Sequence, residues 1–397
     1  MIKSNIATQL GVLTFSRVLI NTAVRMIYPF LPAFARALHV DVESLVFLIS
    51  GRSALTICAP LFGGLSDRYS SHNILYASLG IYLIAMLIVV IMPGFTSFVA
   101  AILLVTLCKV IFDPAAYSFL SERIPYAKRG FYVGIYELSW SGSFFIGMPA
   151  IGWLMALQYS DAWQFPFITL GILAILSLFL NRLVIPRRSS DAKPAGSIRQ
   201  LSKWKQILSD VNVMAALAAG ALLCLAQESV LVIMGIWLEK DFGLTLTALG
   251  FSSIIIGIAE LIAEGGVIGL IDRMGKRRTI IGGTVLGIIA FAIFPFISES
   301  VTGALIALFL IFFAFEFSFV ATLPFVTELV PDARAQVMSL YIALQWSGRA
   351  VGALAGGWLF QFGLIWNGIF GAGLNILVLI LLIFLVREHG DHMTENR

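Results

Sequence analysis

The sequence predicts an all-α integral membrane protein, with twelve transmembrane helices in two six-helix halves related as a parallel repeat about a pseudo-two-fold axis along the membrane normal. Three observations predict it. First, 59% of the 397 residues are hydrophobic and 12% are charged, against about 25% charged in ordinary soluble domains. With a mean hydropathy of +0.95, there is too little polar side chain to cover a water-facing surface, so lipid must be the main solvent. Second, a short charged turn occurs twice. Gly63-Gly64-Leu65-Ser66-Asp67-Arg68 is echoed by Gly269-Leu270-Ile271-Asp272-Arg273-Met274-Gly275-Lys276-Arg277-Arg278, and Asp67 and Asp272 are 205 residues apart. Third, charge is absent from the interior of every third apolar run.

Apolar windows of about 20 residues, the length that crosses a bilayer, place the spans at 8–30, 44–66, 73–92, 97–120, 131–157, 163–185, 209–238, 246–271, 279–297, 302–329, 336–361 and 364–386. The first run contains Arg17 and Arg25 and has no small-residue cleavage site, so it reads as a retained span and not a signal peptide. The only long polar segment, 186–208, separates an N-terminal half (1–185) from a C-terminal half (209–397). With the N-terminus inside, the inner connections and tails hold nearly all the loop Lys and Arg, and the outer ones hold only Arg36 and Lys240. Both termini and the central loop are therefore expected to be cytoplasmic. Lys203-Trp204-Lys205 is expected on a short helix at the inner leaflet. The same sorting explains the net charge of +4 without a nucleic-acid partner. Cys58, Cys108 and Cys224 lie in apolar runs without metal spacing and read as buried free thiols. The four histidines lie outside those runs, which excludes an intramembrane histidine relay.

The repeat extends beyond the charged turn. Pro125 and Pro331 are each followed fifteen residues later by Trp-Ser-Gly, at Trp140-Ser141-Gly142 and Trp346-Ser347-Gly348, and then by Gly152-Trp153 and Gly357-Trp358. These landmarks share an offset of 205–206 residues. Parallel repeats of this kind build one large class of membrane transporters.

An ionisable side chain in hydrocarbon costs about 2.5–3.5 kcal/mol on insertion scales and normally faces the bundle interior. Eleven fall within the spans away from their ends: Arg17, Arg25, Arg52, Lys109, Asp113, Glu137, Glu228, Glu260, Glu264, Glu316 and Arg349. Spans three, six, nine and twelve carry none in their interiors, so spans one, four, seven and ten are expected to line a polar cavity. Lys109 and Asp113 are four apart, on one helical face, and either pair with each other or serve a substrate. Arg25, Lys109, Asp113, Glu228 and Glu316 are the candidates for substrate and proton coupling, and repeat symmetry sets Lys109 nearly opposite Glu316. Arg17, Arg52, Glu137, Glu260, Glu264 and Arg349 are the supporting charges, the acids among them either bonding neighbouring helices or taking part.

These residues resemble the major facilitator superfamily over essentially the whole chain. The turn Gly63 to Arg68 is similar to the family's signature after its second helix, although Tyr69-Ser70-Ser71-His72 lacks the glycine and basic pair that close it. The second copy keeps Asp272, Arg273, Gly275, Lys276 and Arg277, with its leading glycine shifted to Gly269. The resemblance implies that Asp67 and Asp272 latch cytoplasmic helix ends, with Arg68 and Arg273 in the turns and Arg129 and Arg334 as partners. Gly142, Gly147, Pro149 and Gly152 resemble the helix-5 motif of drug/proton antiporters with one residue inserted, and glycines there allow close packing and a bend at Pro149. Lys109 is the best counterpart of that branch's helix-4 arginine.

The resemblance implies a monomeric secondary transporter of the cell membrane, most readily a proton-coupled exporter of small amphipathic organic compounds. The alternative is proton-coupled uptake of a sugar or organic anion, with Arg25 and Lys109 on its carboxylate or phosphate. A more distant alternative is a membrane sensor that transports nothing. No nucleotide-binding loop, metal cluster, cofactor motif or convergent nucleophile occurs, so neither an enzyme nor a pump fuelled by ATP is expected, and the partners are the substrate, protons and lipid.

Overall fold

The computed structural model describes residues 5–57, 70–157, 162–186, 204, 207–330 and 333–386. Among them the secondary structure is helical throughout, in the order expected for twelve spans. Eight helical stretches are long and apolar enough by themselves to cross a bilayer. The others are weaker for identifiable reasons. Span one carries Arg17 and Arg25, span two runs into residues outside the described set, and spans five and eleven are diluted by Gly, Ser and charge.

Two spans expected as continuous are broken. The helix of span one ends at Arg25, and a second helix, Leu31–Leu38, completes the crossing. Span seven is a helix over Val211–Leu231 followed by Met234–Phe242. Helix starts are capped where side-chain oxygens are available, as short polar side chains do at N-termini. Asp210 accepts from the backbone N–H of Asn212 at 2.9 Å, and Ser300 from that of Gly303 at 3.2 Å. Span nine starts at Lys276, immediately after Gly275 at φ 84°, a left-handed turn that glycine enters without strain.

The chain divides into two compact units. One comprises Met1–Leu48, Cys58–Ala195 and Gly235–Gly257, and the other Ile49–Ile57, Gly196–Met234 and Ile258–Arg397. In the first unit, span one packs on spans four, five and six. Ser16 and Ser177 share a hydrogen bond at 2.7 Å and Asn181 donates to Ser16 at 2.9 Å, so span six is tied to span one by polar contacts as well as apolar area. Residues 235–257 join this unit by backbone approach. A Cβ on Gly235 would stand 2.4 Å from the Pro29 carbonyl oxygen, and one on Gly250 would stand 2.6 Å from that of Met148.

In the second unit spans seven and eleven pack along a glycine seam. Added Cβ atoms on Gly348, Gly352 and Gly356 would meet the carbonyl oxygens of Ala221, Leu225 and Ser229 at 2.2, 2.5 and 2.2 Å. Glycines one α-helical turn apart let two backbones touch, which is how helices associate where lipid supplies no hydrophobic drive.

Span five solves the same packing problem differently. It runs as an α-helix over Tyr126–Gly142, a π turn over Ser143–Gly147 and a second α-helix over Met148–Met155. Trp140 and Trp153 are thirteen residues apart, whereas Trp346 and Trp358 are twelve. The extra residue of the first half therefore falls where the π turn widens the helix to take it. Gly142 and Gly147, five apart, both face span one, at Val18 and Thr22. The distortion expected at Pro149 thus lies in the turn that precedes it.

Candidate functional site

The stripe Arg17, Asn21 and Arg25 runs along one face of span one, and Lys109, Asp113 and Tyr117 along one face of span four. Both have the four-residue spacing that stacks side chains on a helix. Span five brings Tyr136, Glu137 and Trp140 against them. Arg17 sits at the centre. Its Nε donates to Asp113 Oδ1 at 3.2 Å, its Nη1 to Glu137 Oε2 at 2.9 Å and to the Tyr136 carbonyl at 3.2 Å, and its Nη2 to the Tyr117 hydroxyl at 3.2 Å. Tyr117 in turn donates to Glu137 Oε1. The guanidinium also lies over the Tyr136 ring, 4.3 Å from its centroid.

Lys109 closes the other side. Its Nζ donates to Asp113 Oδ2 at 2.8 Å and to Asn21 Oδ1 at 2.7 Å, so the i,i+4 pair forms. Asp113 therefore shares its two oxygens between two cations, and Arg17, Lys109, Asp113 and Glu137 sum to zero charge. The cations are the deeper groups: the side chains of Arg17 and Lys109 are 6% and 10% exposed, those of Asp113 and Glu137 20% and 36%. Neutral, hydrogen-bonded clusters are the form in which buried charge is tolerated, and removing one member leaves an uncompensated partner.

Arg25 lies two turns along span one from Arg17. It donates to the Trp140 carbonyl at 3.2 Å, and its guanidinium lies 3.7 and 4.1 Å from the ring centroids of Trp140 and Phe144. Lys109 also lies over Trp140, at 4.9 Å. Trp140, noticed in the sequence only as a repeat landmark, is thus the surface shared by two of the candidate cations.

The second unit has a smaller counterpart. Arg349 donates to Glu228 Oε2 at 2.9 Å and to Gln227 Oε1 at 2.8 Å, and it lies 5.7 Å from the ring centroids of both Trp346 and Phe315. Glu228 has no exposed surface. Glu316 is buried on span ten among phenylalanines, Glu260 is buried on span eight, Glu264 is half-buried one turn further, and Arg52 is buried in this unit.

The turns expected to form the gate are only partly described. Gly63, Asp67 and Arg68 lie outside the described residues, as do the side chains of Arg129, Asp272 and Arg334. Gly269 and Arg273 are exposed near the end of span eight. Lys276 pairs with Glu328 at the end of span ten. Of the cysteines, Cys108 and Cys224 are buried free thiols and Cys58 lies outside the described residues. Trp204 is helical, and its neighbours Lys203 and Lys205 lie outside the described residues. Among those residues no group of His, Cys, Asp and Glu is arranged to hold a metal. One histidine departs from expectation: His72 belongs to the first turn of span three and is buried.

Sequence reasoning missed Asn21, Tyr117, Tyr136 and Gln227. The first two were visible as the third members of the 17–21–25 and 109–113–117 stripes, but uncharged residues carry no insertion penalty large enough to flag them. Tyr136 and Gln227 act beside charged neighbours and become legible only once the helices meet.

The sequence matches the model of the Major Facilitator Superfamily over residues 13–315 and 217–396. It is 26% identical over 377 residues to the uncharacterized MFS-type transporter YwfA of Bacillus subtilis, covering 92% of this chain and 89% of that one. It is 23% identical over 351 residues to YceJ of the same organism, an uncharacterized MFS-type transporter, covering 86% of each. Among solved structures, the fold is similar to a POT family transporter in complex with 5-aminolevulinic acid (TM-score 0.76, 15% identity, 95% and 96% of the two chains). It is also similar to the nucleoside transporter NupG (TM-score 0.76, 15% identity, 96% and 100% of the two chains). A parallel duplication of charge-bearing spans, a helical fold shared with these transporters and a family model matched along almost its whole length lead to one conclusion: the chain belongs to the Major Facilitator Superfamily of integral membrane transporters.

Proposed function

We propose that this protein is a proton-coupled exporter of small amphipathic organic compounds, working by alternating access with both termini cytoplasmic, and that the Arg17–Asp113–Lys109–Glu137 cluster is its coupling site. The observation that carries this reading is the sharing of Asp113 between two cations. A proton on Asp113 cancels the charge that holds Arg17 and Lys109 together, and the two cations then repel or must find other partners. That couples one proton to a rearrangement of spans one and four, the helices expected to line the cavity. The acids are the more exposed members of the cluster, so water reaches the group that must titrate.

Aromatic surface supports an amphipathic substrate. Phe309, Phe313 and Phe317 stack along span ten with ring centroids 5.9 and 5.8 Å apart, and Trp140 and Phe144 stand beside Arg25. The position of Arg25 also favours the second reading, uptake of an organic anion, because a guanidinium against aromatic faces suits a carboxylate. Lys109 suits that role less, since Asp113 and Asn21 already hold its ammonium.

Proteoliposomes with an acid lumen separate the two. Proton antiport loads the acid lumen with a lipophilic cation probe such as ethidium, while symport drains it of an anion probe such as benzoate. Asp113→Asn should abolish gradient-driven loading and leave counterflow exchange of the same probe intact. Gradient-driven loading that survives Asp113→Asn would remove this cluster from coupling.

A further inference from the structure

The first copy of the charged turn lacks the basic pair of the second, and a cavity lies at the start of the span that follows it. Arg277 stands 205 positions after His72, in the first turn of span nine. Its guanidinium crosses to the end of span twelve, where Nε and Nη2 donate to the Leu382 carbonyl at 3.1 and 2.9 Å and Nη2 donates to that of Ile383 at 3.1 Å. The arginine thereby fills the groove between the two helix ends and satisfies carbonyls that a helix C-terminus leaves open.

Spans three and six pack together as spans nine and twelve do. Here the shorter imidazole of His72 stacks along its own helix on Tyr76, with ring centroids 6.5 Å apart. At this end of spans three and six lies a cavity of about 230 Å³ lined by His72, Asn73, Tyr76, Ala77 and Arg182. Arg182 lies in the last turn of span six and is exposed. The guanidinium of Arg182, the phenol of Tyr76 and the carboxamide of Asn73 are exposed at this opening and offer donors to an anion rich in oxygen.

The surroundings select which anion. Beyond the cavity the exposed flank of these two spans is apolar, with Ile84, Ile175, Leu176 and Phe179 all more than 40% exposed. Neither span has a charge in its interior, so this flank faces acyl chains. We propose that the cavity binds the phosphate-bearing headgroup of an anionic phospholipid of the leaflet that faces the basic loops, with its chains lying along spans three and six. This site is independent of the direction of transport and of the Asp113 cluster.

The test compares the thermal unfolding of purified protein in phosphatidylcholine nanodiscs with and without phosphatidylglycerol, since a lipid bound only by the folded state raises its melting temperature. Phosphatidylglycerol should raise it for the natural chain and for Arg182→Lys, but not for Arg182→Gln or His72→Arg. His72→Arg is the decisive variant. It adds a positive charge, which would strengthen any general attraction to anionic lipid, yet it should fill the cavity as Arg277 fills its counterpart. A shift in His72→Arg as large as in the natural chain overturns the proposal. So does an equal shift from inorganic phosphate in phosphatidylcholine nanodiscs, which would make the cavity a site for a free anion. If Arg182→Gln does not fold, His72→Arg decides alone, because the second half shows that the fold accommodates an arginine at that position.

Discussion

Spans five and eleven descend from one repeated sequence and pack against equivalent partners, yet one is bulged and the other straight. Span eleven lays Gly348, Gly352 and Gly356 against the carbonyls of span seven, one α-helical turn apart. Span five holds one more residue between its two tryptophans, absorbs it in the π turn Ser143–Gly147, and keeps Gly142 and Gly147 on the face that meets span one. The charges differ in parallel. Beside the bulged span, four charged groups, Tyr117 and Asn21 form a network spanning three helices. Beside the other, the Arg349–Glu228 pair is backed by Gln227. A repeat can thus keep equivalent helix partners while one copy gathers the larger polar network. A π turn is a common accompaniment of such sites.

Removing the hub of each network gives the largest expected effect. Arg17→Gln leaves Asp113 and Glu137 short of a cation, and loss of one partner in a buried cluster costs about 3–5 kcal/mol. Arg349→Gln takes the cation from Glu228 and a donor from Gln227. Arg17→Gln should therefore lower the melting temperature in detergent further than Arg349→Gln and abolish gradient-driven transport. If Arg349→Gln proved the more damaging, the inequality between the two copies would be reversed.

Next come the seams. Gly348→Ala would drive its Cβ to 2.2 Å from the Ala221 carbonyl oxygen, a backbone atom that has nowhere to go, whereas Gly147→Ala would meet the Thr22 hydroxyl at 2.3 Å. Overpacking of this kind costs about 1–3 kcal/mol. The double variant Gly147→Ala/Thr22→Ala should recover part of the lost thermal stability, while Gly348→Ala should have no single-residue rescue on span seven.

The π turn itself offers a smaller effect on folding. Ile146 lies in the turn and is 71% exposed. Deleting it would convert span five to the straight form of span eleven without changing the register on either side, so the variant should fold and melt close to the natural protein. Deleting Leu154, in the regular α-helix beyond the turn, should not be tolerated. Size-exclusion profiles and melting curves of the two deletions check this, and a transport defect in the folded Ile146 deletion would tie the bulge to function.

The smallest expected change is at Arg277, whose replacement by Gln removes hydrogen bonds to the end of span twelve, with a typical net loss of about 1 kcal/mol.

What the sequence determined by itself was the architecture. Apolar run length, the charge-free third spans and the 205-residue echo require only bilayer thickness, the cost of burying charge and helical periodicity, which are local or statistical properties of the chain. The same arguments identified Arg17, Lys109, Asp113 and Glu137 as interior charges and set Lys109 and Asp113 on one helical face, able to pair or to serve a substrate. Tertiary structure alone decided that Arg17, a supporting charge by its sequence position, is the hub of the cluster. It also decided that Trp140 carries two cations, that the extra residue of span five becomes a π turn, and that a cavity lies beside His72. Each of these depends on which groups meet across helices far apart in the chain. A side chain's insertion cost is set by its own burial, but its role is set by its neighbours.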